Sequence, residues 1–533
     1  MKNRLLGSVA AMALSAGAAQ ADYTLHVLHI NDFHSRIEAI NGFDSTCSAE
    51  EAAESKCFGG IARLATKVTE LRDSLIADGQ NVIFVDAGDQ FQGSLMYTTY
   101  KGAVEAEFLE QLAPDAMALG NHEFDDGPQG LAEFLDKVTF PVISGNLDVS
   151  QSNVLAGRVQ NHVVLDVGGE KIGIISALAT DTSETSSPGN TVIFQDEIDS
   201  LKADVATLEA EGVTKIIAVT HVGYNLDQQI AAEVPGIDAV VGGHSHTYLS
   251  ATDPDRAGPY PTWVSQESGA MVPVVQAYAY SKYLGHLELT FSDDGTLLHA
   301  GGDTILLDAS VTPDPAIEAR VAELAGPIEE LKAKVIGETT EAIDGSRETC
   351  RQGECQMGNL VTDAMLDRVK DQGVTIAITN GGGLRTSIDA GPVTMGEALS
   401  VLPFQNTLST FTVTGADIVA ALENGVSRLE DGAGRFAQVS GLQYTFDPAQ
   451  PAGSRVSDVM VLVGGDAWAP IDPAAEYNLV SNNYVRGGGD GYRMFVDAAN
   501  AYDFGPDLAD VLAEYLAKAE GYTPYLDGRI TRK

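Results

Sequence analysis

Five short polar segments carry side chains that divalent metals favour: Asn31-Asp32-Phe33-His34, Gly88-Asp89-Gln90, Gly120-Asn121-His122-Glu123, Thr220-His221 and Gly242-Gly243-His244-Ser245-His246. Aspartate oxygen and neutral imidazole nitrogen suit zinc, manganese or a similar ion. Two such ions side by side can activate a water and hold phosphoryl oxygens for in-line displacement. Each segment alone is a weak signal, because Asp-x-His recurs by chance and a lone histidine usually serves packing. The weight lies in their shared position, since each follows an apolar run and together they hold five of the ten histidines. The other five, His26, His29, His162, His286 and His299, are expected to be structural.

Such ligands need rigid elements behind them. Thr24 to Ile30, Val82 to Val85, Lys215 to Val219 and Ile237 to Val241 read as strands, apolar on both faces as the interior of a layered α/β sheet requires. Ile61, Leu64, Val68, Leu71 and Leu75 recur at helical spacing between the first two. Loops at the carboxyl ends of such strands are free to shape a site while the sheet fixes their origins. Near Thr312-Pro313-Asp314-Pro315 the pattern breaks into an alanine- and glutamate-rich helix, and a second α/β region follows, with strands at Ile376–Ile378 and Tyr477–Val480. The expected division is therefore a leader at 1–21, a metal-binding domain over 22–313, a linker helix at 314–334 and a second domain over 335–533.

Composition narrows the function. The chain has 533 residues, 44% of them apolar, enough for two large units with real cores. Its formal charge of -43 argues against a nucleic-acid polymer as partner. Lys2 and Arg4, an apolar run to Ala19 and Ala19-Gln20-Ala21 have the order of a secretory leader cleaved before Asp22. No later run is long and apolar enough for a stable membrane anchor, so a periplasmic or secreted protein is expected. Four cysteines fit an oxidising compartment. Three pairings are possible in principle, and the local one, Cys47 with Cys57 and Cys350 with Cys355, is expected.

The second region offers four polar segments of its own. Cys350-Arg351-Gln352-Gly353-Glu354-Cys355 carries a cation on a short loop, and Asn380-Gly381-Gly382-Gly383-Leu384-Arg385 follows a strand. A glycine-rich loop of that kind is expected to present backbone amides to an anion, with Arg385 gripping it. Leu402-Pro403-Phe404 puts a ring beside a rigid turn, and the run from Asn482 to Gly491 supplies Tyr484 and Asp490. Two rings, a carboxylate and a pair of arginines suit a nucleotide.

The series Asp-x-His, Gly-Asp, Gly-Asn-His-Glu, His and Gly-His-x-His resembles the calcineurin-like metallophosphoesterases. Gly120-Asn121-His122-Glu123-Phe124-Asp125 and the C-terminal half resemble, more narrowly, the 5'-nucleotidase family, which includes ecto-type 5'-nucleotidases and bacterial UDP-sugar hydrolases. The resemblance implies a four-layer αββα domain followed by an α/β substrate-binding domain. It implies one metal on Asp32, His34, Asp89 and His246, and another on Asp89, Asn121, His221 and His244, with Asp89 bridging. Two divalent ions bring four positive charges and the two carboxylates cancel half, leaving a surplus that a phosphate dianion neutralises.

His122 and Asp125 match the family's catalytic dyad, with Glu123 in a supporting role. Phe404 and Tyr484 match its base-stacking rings and Asp490 its ribose contact. Arg36, Arg351, Asn380 and Arg385 match its remaining substrate contacts. The activity implied is removal of the 5'-phosphate from nucleotides such as AMP. UDP-sugar hydrolysis and 2',3'-cyclic phosphodiester cleavage are the alternatives within the class, and a nucleotide-scavenging binding protein is the alternative outside it. The chain departs from the family's pattern where Tyr484 stands for phenylalanine and where Gln405-Asn406 stands for a glycine pair, and no C-terminal lipid anchor of the ecto-type kind is expected.

Overall fold

The computed structural model describes residues 22–42, 44, 46–180, 182–402, 404–464, 467–503 and 505–533; the leader read at 1–21 and the turn residue Pro403 lie outside them. Two six-stranded sheets form the N-terminal region. One runs in the order Leu297–Leu306, Tyr283–Phe291, Tyr23–Ile30, Asn81–Asp86, Ala116–Ala118, Val142–Ile143, and its last four strands are parallel. The other runs Thr262–Ser265, Met271–Val275, Ala239–Val241, Lys215–Val219, Glu170–Ile175, His162–Val167, with its central four strands parallel.

Strand periodicity sorts the side chains into layers. Leu25 and Val27 meet Ile172, Ile174 and Ile217 between the sheets. Leu28 and Ile30, one residue out of phase, meet the helices Ile61–Ala77, Ala103–Leu112 and Gly127–Leu135 through Leu64, Phe108 and Leu131. The helices Glu197–Ala210 and Tyr224–Glu233 cover the far face of the second sheet through Leu201, Leu208 and Ile230. The result is the expected αββα stack, in which both sets of parallel strands end at one edge. The strand expected over 237–241 begins at Ala239, because the Asp238 carboxylate turns to accept the Ile216 amide at 2.8 Å.

The helix Pro315–Lys332 starts where the sequence places it: Asp314 caps it by accepting from the Ala316 and Ile317 amides. It buries Ile317, Leu324 and Ile328 against the N-terminal core. Beyond it, a five-stranded sheet runs Ala437–Ser440, Ile376–Asn380, Glu476–Asn482, Leu408–Thr414, Ala499–Tyr502. Helices Gln356–Val369, Met395–Val401 and Leu508–Lys518 pack on one face and Gly415–Gly425 on the other. Both local disulfides, Cys47–Cys57 and Cys350–Cys355, are formed. Among the described residues no helix is long and apolar enough to cross a membrane.

Candidate functional site

Turns at the carboxyl ends of strands from both sheets converge on one cluster. His34 Nε2 lies 3.0 Å from His246 Nε2, and His246 Nε2 lies 3.3 Å from Asp32 Oδ1. Asp89 Oδ2 sits between His221 Nε2 at 3.0 Å and His34 Nε2 at 3.7 Å, and His244 Nδ1 faces Asn121 Oδ1 at 2.9 Å. All seven ligand candidates are thus brought together, with Asp89 in the middle. Five of them, Asp32, His34, Asp89, His244 and His246, have left-handed backbone, a conformation that costs energy in residues with side chains and gathers at functional sites.

The donor set fits a pair of divalent ions. His221 Nδ1 lies 2.7 Å from the Ala87 carbonyl and His34 Nδ1 3.2 Å from that of Phe91, so each ring donates there and leaves Nε2 as a bare lone pair. Those lone pairs point at one another and at carboxylate oxygens. His221 Nε2 is fully buried and makes no hydrogen bond. Lone pairs facing each other repel unless a cation lies between them. Ligands each about 2.1 Å from one ion stand roughly 3.0–3.5 Å apart, the spacing found here.

Supporting residues hold this geometry. Glu123 accepts from the amides of Asp89, Gln90 and Gly120 at 3.0, 2.7 and 2.6 Å, a supporting role that fixes the turn under Asp89. Gly120 leaves room for that turn, since a Cβ there would lie 2.2 Å from Asp89 Oδ1. His122 belongs to a short 3-10 turn, His122–Phe124, rather than to an α-helix. Residues three apart eclipse in that geometry, and His122 Nδ1 meets Asp125 Oδ2 at 2.7 Å. Burial opposes a charge on His122, but the carboxylates of Asp125 and Asp89 outweigh it and the imidazole is pushed up to about 9.

Two cavities adjoin the cluster. One of about 270 Å³ is lined by His34, Asp89, Asn121, His122, His244 and His246, so it opens directly on the metal-ligand groups. The other, of about 520 Å³, is lined by all seven substrate candidates, Arg36, Arg351, Asn380, Arg385, Phe404, Tyr484 and Asp490. Asp490 is oriented by Asn380 Nδ2 at 2.8 Å and by the Tyr484 hydroxyl at 3.2 Å. The hydroxyl that Tyr484 adds to the ring therefore has a partner. Arg385 lies over the Phe404 ring at 5.2 Å, so cation and ring form one wall.

The glycine loop corrects one expectation. The amides of Gly381 and Gly382 donate to the carbonyls of Phe436 and Gly434, both at 2.7 Å, so they are not offered to an anion. These glycines serve close packing instead: a Cβ on Gly381 would lie 2.2 Å from the Cys350 carbonyl oxygen. Sequence reading also missed residues that touch the site from elsewhere in the chain. Ser186 donates to Asp125 Oδ1 at 2.8 Å, completing that carboxylate's hydrogen bonding. The Tyr280 ring packs on His34 and His246, at 5.7 and 5.2 Å, and under the Arg36 guanidinium at 4.9 Å. Neither carries a motif that announces it.

Both regions of the chain match known families. The family model for calcineurin-like phosphoesterases matches residues 25–248, and that for the 5'-nucleotidase C-terminal domain matches 335–497. The 5'-nucleotidase of Diplobatis ommata is 40% identical, covering 97% of this chain and 91% of its own length. That of Homo sapiens is 37% identical, covering 98% and 94%. Among solved structures, a 5'-nucleotidase precursor from Thermus thermophilus is 40% identical with a TM-score of 0.64, covering 96% of this chain and 99% of its own. The NAD nucleotidase of Haemophilus influenzae is 26% identical with a TM-score of 0.73, over the same shares. With a metallophosphoesterase domain, a nucleotidase C-terminal domain and end-to-end likeness to curated nucleotidases, the chain belongs to the 5'-nucleotidase family.

Proposed function

We propose that this protein is an exported, metal-dependent phosphoric monoester hydrolase that removes the 5'-phosphate from nucleotides such as AMP. The observation that carries the reading is the pairing of the two cavities. A cleft lined by histidine, aspartate and asparagine adjoins a larger one lined by aromatic rings, carboxamide and carboxylate groups and three arginines. In this reading residues 22–313 hold the metals, 335–533 hold the nucleoside and 314–334 connect them. The leader pattern at 1–21 supports export to the periplasm or beyond.

The residues divide the work by position. Asp32, His34, Asp89 and His246 hold one divalent ion, and Asp89, Asn121, His221 and His244 hold the other, zinc or manganese by their ligand types. Ions held there supply an attacking water at neutral pH and neutralise phosphoryl charge. His122, kept charged by Asp125, stabilises the negative charge that builds on the phosphoryl group. Phe404 and Tyr484 stack the base, Asp490 accepts ribose hydroxyls, and Arg36, Arg351 and Arg385 with Asn380 hold the remaining polar groups.

Purified protein should release phosphate from AMP, lose that activity on dialysis against a chelator and regain it with zinc or manganese. A panel with a UDP-sugar and a 2',3'-cyclic nucleotide separates the alternatives within the class, and indifference to every 5'-monophosphate removes the proposal. A scavenging receptor would bind without turnover; bare imidazole lone pairs facing carboxylates are an expense that a pure binder has no use for.

A further inference from the structure

Two groups of the larger cavity hold the Asp490 carboxylate: Asn380 bonds one oxygen and the Tyr484 hydroxyl the other. The main chain beneath it is bent more sharply than an aspartate favours. Asp490 is left-handed at φ 51°, in a turn that also contains Gly488 at 94° and Gly491 at 85°. Glycine adopts such angles freely, whereas a residue with a side chain stays there only when its surroundings hold it.

The hold comes from outside the cavity. Asn424, in the last turn of the helix Gly415–Gly425, donates from Nδ2 to the Asp490 carbonyl at 3.1 Å. Its Oδ1 accepts from Arg435 Nη1 at 3.1 Å. A guanidinium only donates and a carbonyl only accepts, so the carboxamide has one orientation that satisfies both neighbours. Arg435 is itself tied to the turn, since its carbonyl accepts from the Tyr492 hydroxyl at 2.6 Å. The fit is close: a Cβ on Gly491 would lie 2.8 Å from Asn424 Oδ1 and 3.2 Å from Arg435 Nη1. Neither Asn424 nor Arg435 lines the cavity at the metal-ligand cluster or the one that Asp490 lines.

We infer that Asn424, oriented by Arg435, is a positioning residue for ribose recognition. The inference rests on the nucleotidase reading above, which gives Asp490 its ribose contact. With Asn380 on one oxygen and Tyr484 on the other, each carboxylate oxygen keeps a lone pair, enough for two neighbouring hydroxyls. Both lone pairs are aimed by one strained main chain, and Asn424 is the side chain that bonds the Asp490 carbonyl. Without that bond the turn relaxes, and a sugar must order the carboxylate as it binds.

Steady-state kinetics on the metal-loaded enzyme test this with AMP, ribose 5-phosphate and p-nitrophenyl phosphate, the last of which has no sugar. Asn424→Ala removes both contacts; Asn424→Asp keeps the acceptor for Arg435 and loses the donor to Asp490. In each variant kcat/KM for AMP and for ribose 5-phosphate should fall about fivefold relative to that for p-nitrophenyl phosphate, through KM with kcat nearly unchanged. If the alanine variant does not fold, the aspartate variant, which retains an ion pair with Arg435, carries the test. Equal loss on all three substrates, loss through kcat alone, or an Asn424→Asp variant with the native substrate ratio each overturns the inference. A lowered melting temperature with the native ratio does so too, since it assigns the pair to stability alone. Wild-type protein that cleaves p-nitrophenyl phosphate but neither AMP nor ribose 5-phosphate defeats the nucleotidase reading, and the inference with it. Wild-type protein that cleaves AMP beside variants of unchanged ratio defeats the inference only.

Discussion

At the scale of single residues, the sharpest consequence concerns the proton on His122. The pair His122–Asp125 is closed on its far side by Ser186, so Asp125 has one oxygen for the imidazole and one for the hydroxyl. The imidazole is raised from an ordinary value near 6.5 to about 9, so it keeps its proton across that interval and loses it above. Activity that needs the imidazolium should hold through neutral pH and fall on the alkaline side, at a pH that Asp125 raises and cations held on Asp89 lower. In Asp125→Asn the falling limb of kcat/KM should move down toward the ordinary histidine range. A limb that does not move would assign the titration to another group. His122→Ala should lower turnover by ~100-fold or more while leaving KM largely intact, because the charge acts on the transition state rather than on the bound substrate. Unchanged turnover would remove His122 from the mechanism.

At the scale of elements, the strand-end turns are the units that matter. Each is short, three of the five bend into left-handed backbone at Asp32, Asp89 and His244, and their neighbours approach within contact distance. Gly120 shows how little slack remains, with a methyl group there placed 2.2 Å from Asp89 Oδ1. Asp89 is the carboxylate shared by both halves of the cluster, so Gly120→Ala should disturb both. Metal analysis of that variant should give well under the two equivalents expected for the native protein, with an overpacking cost of about 1–3 kcal/mol in stability. Two equivalents and native activity would mean that the turn shifts without moving Asp89. The glycine run at 381–383 carries the same lesson in the other direction. Its composition resembles an anion nest, yet its first two amides are spent on neighbouring carbonyls.

At the scale of the molecule, two global quantities follow from charge. Ligands that face one another without a cation destabilise the N-terminal domain, and an ion bound only by the folded state adds stability by mass action. With free metal near 1,000 times its dissociation constant the gain is about 4 kcal/mol per site, on the order of 8 °C in the melting of that domain. Calorimetry with and without chelator should show this shift in one transition, and identical melting curves would count against metals as structural partners. The formal charge of -43 repels itself across the whole surface. Screening should therefore raise the melting temperature between low salt and about 1 M salt, where the Debye length is near 3 Å. A flat salt dependence would mean that the acids are already locally compensated.

The sequence alone determined the ligand types, their place after apolar strands, the helical break near 314, the local cysteine pairs and the rings and arginines of the second domain. These are legible because strand and helix periods repeat within a few residues, and because metal ligands and caps are chosen from a short list of side chains. Tertiary structure alone decided which groups converge. It put Asp89 between His34 and His221, brought Ser186 to Asp125 and Tyr280 to His34, and turned the glycine loop into a packing surface. Those outcomes depend on how two sheets and two domains stack, contacts between residues scores to hundreds of positions apart. Local sequence has no term for them, since the energy that selects them is packing and exclusion of water summed over the whole fold.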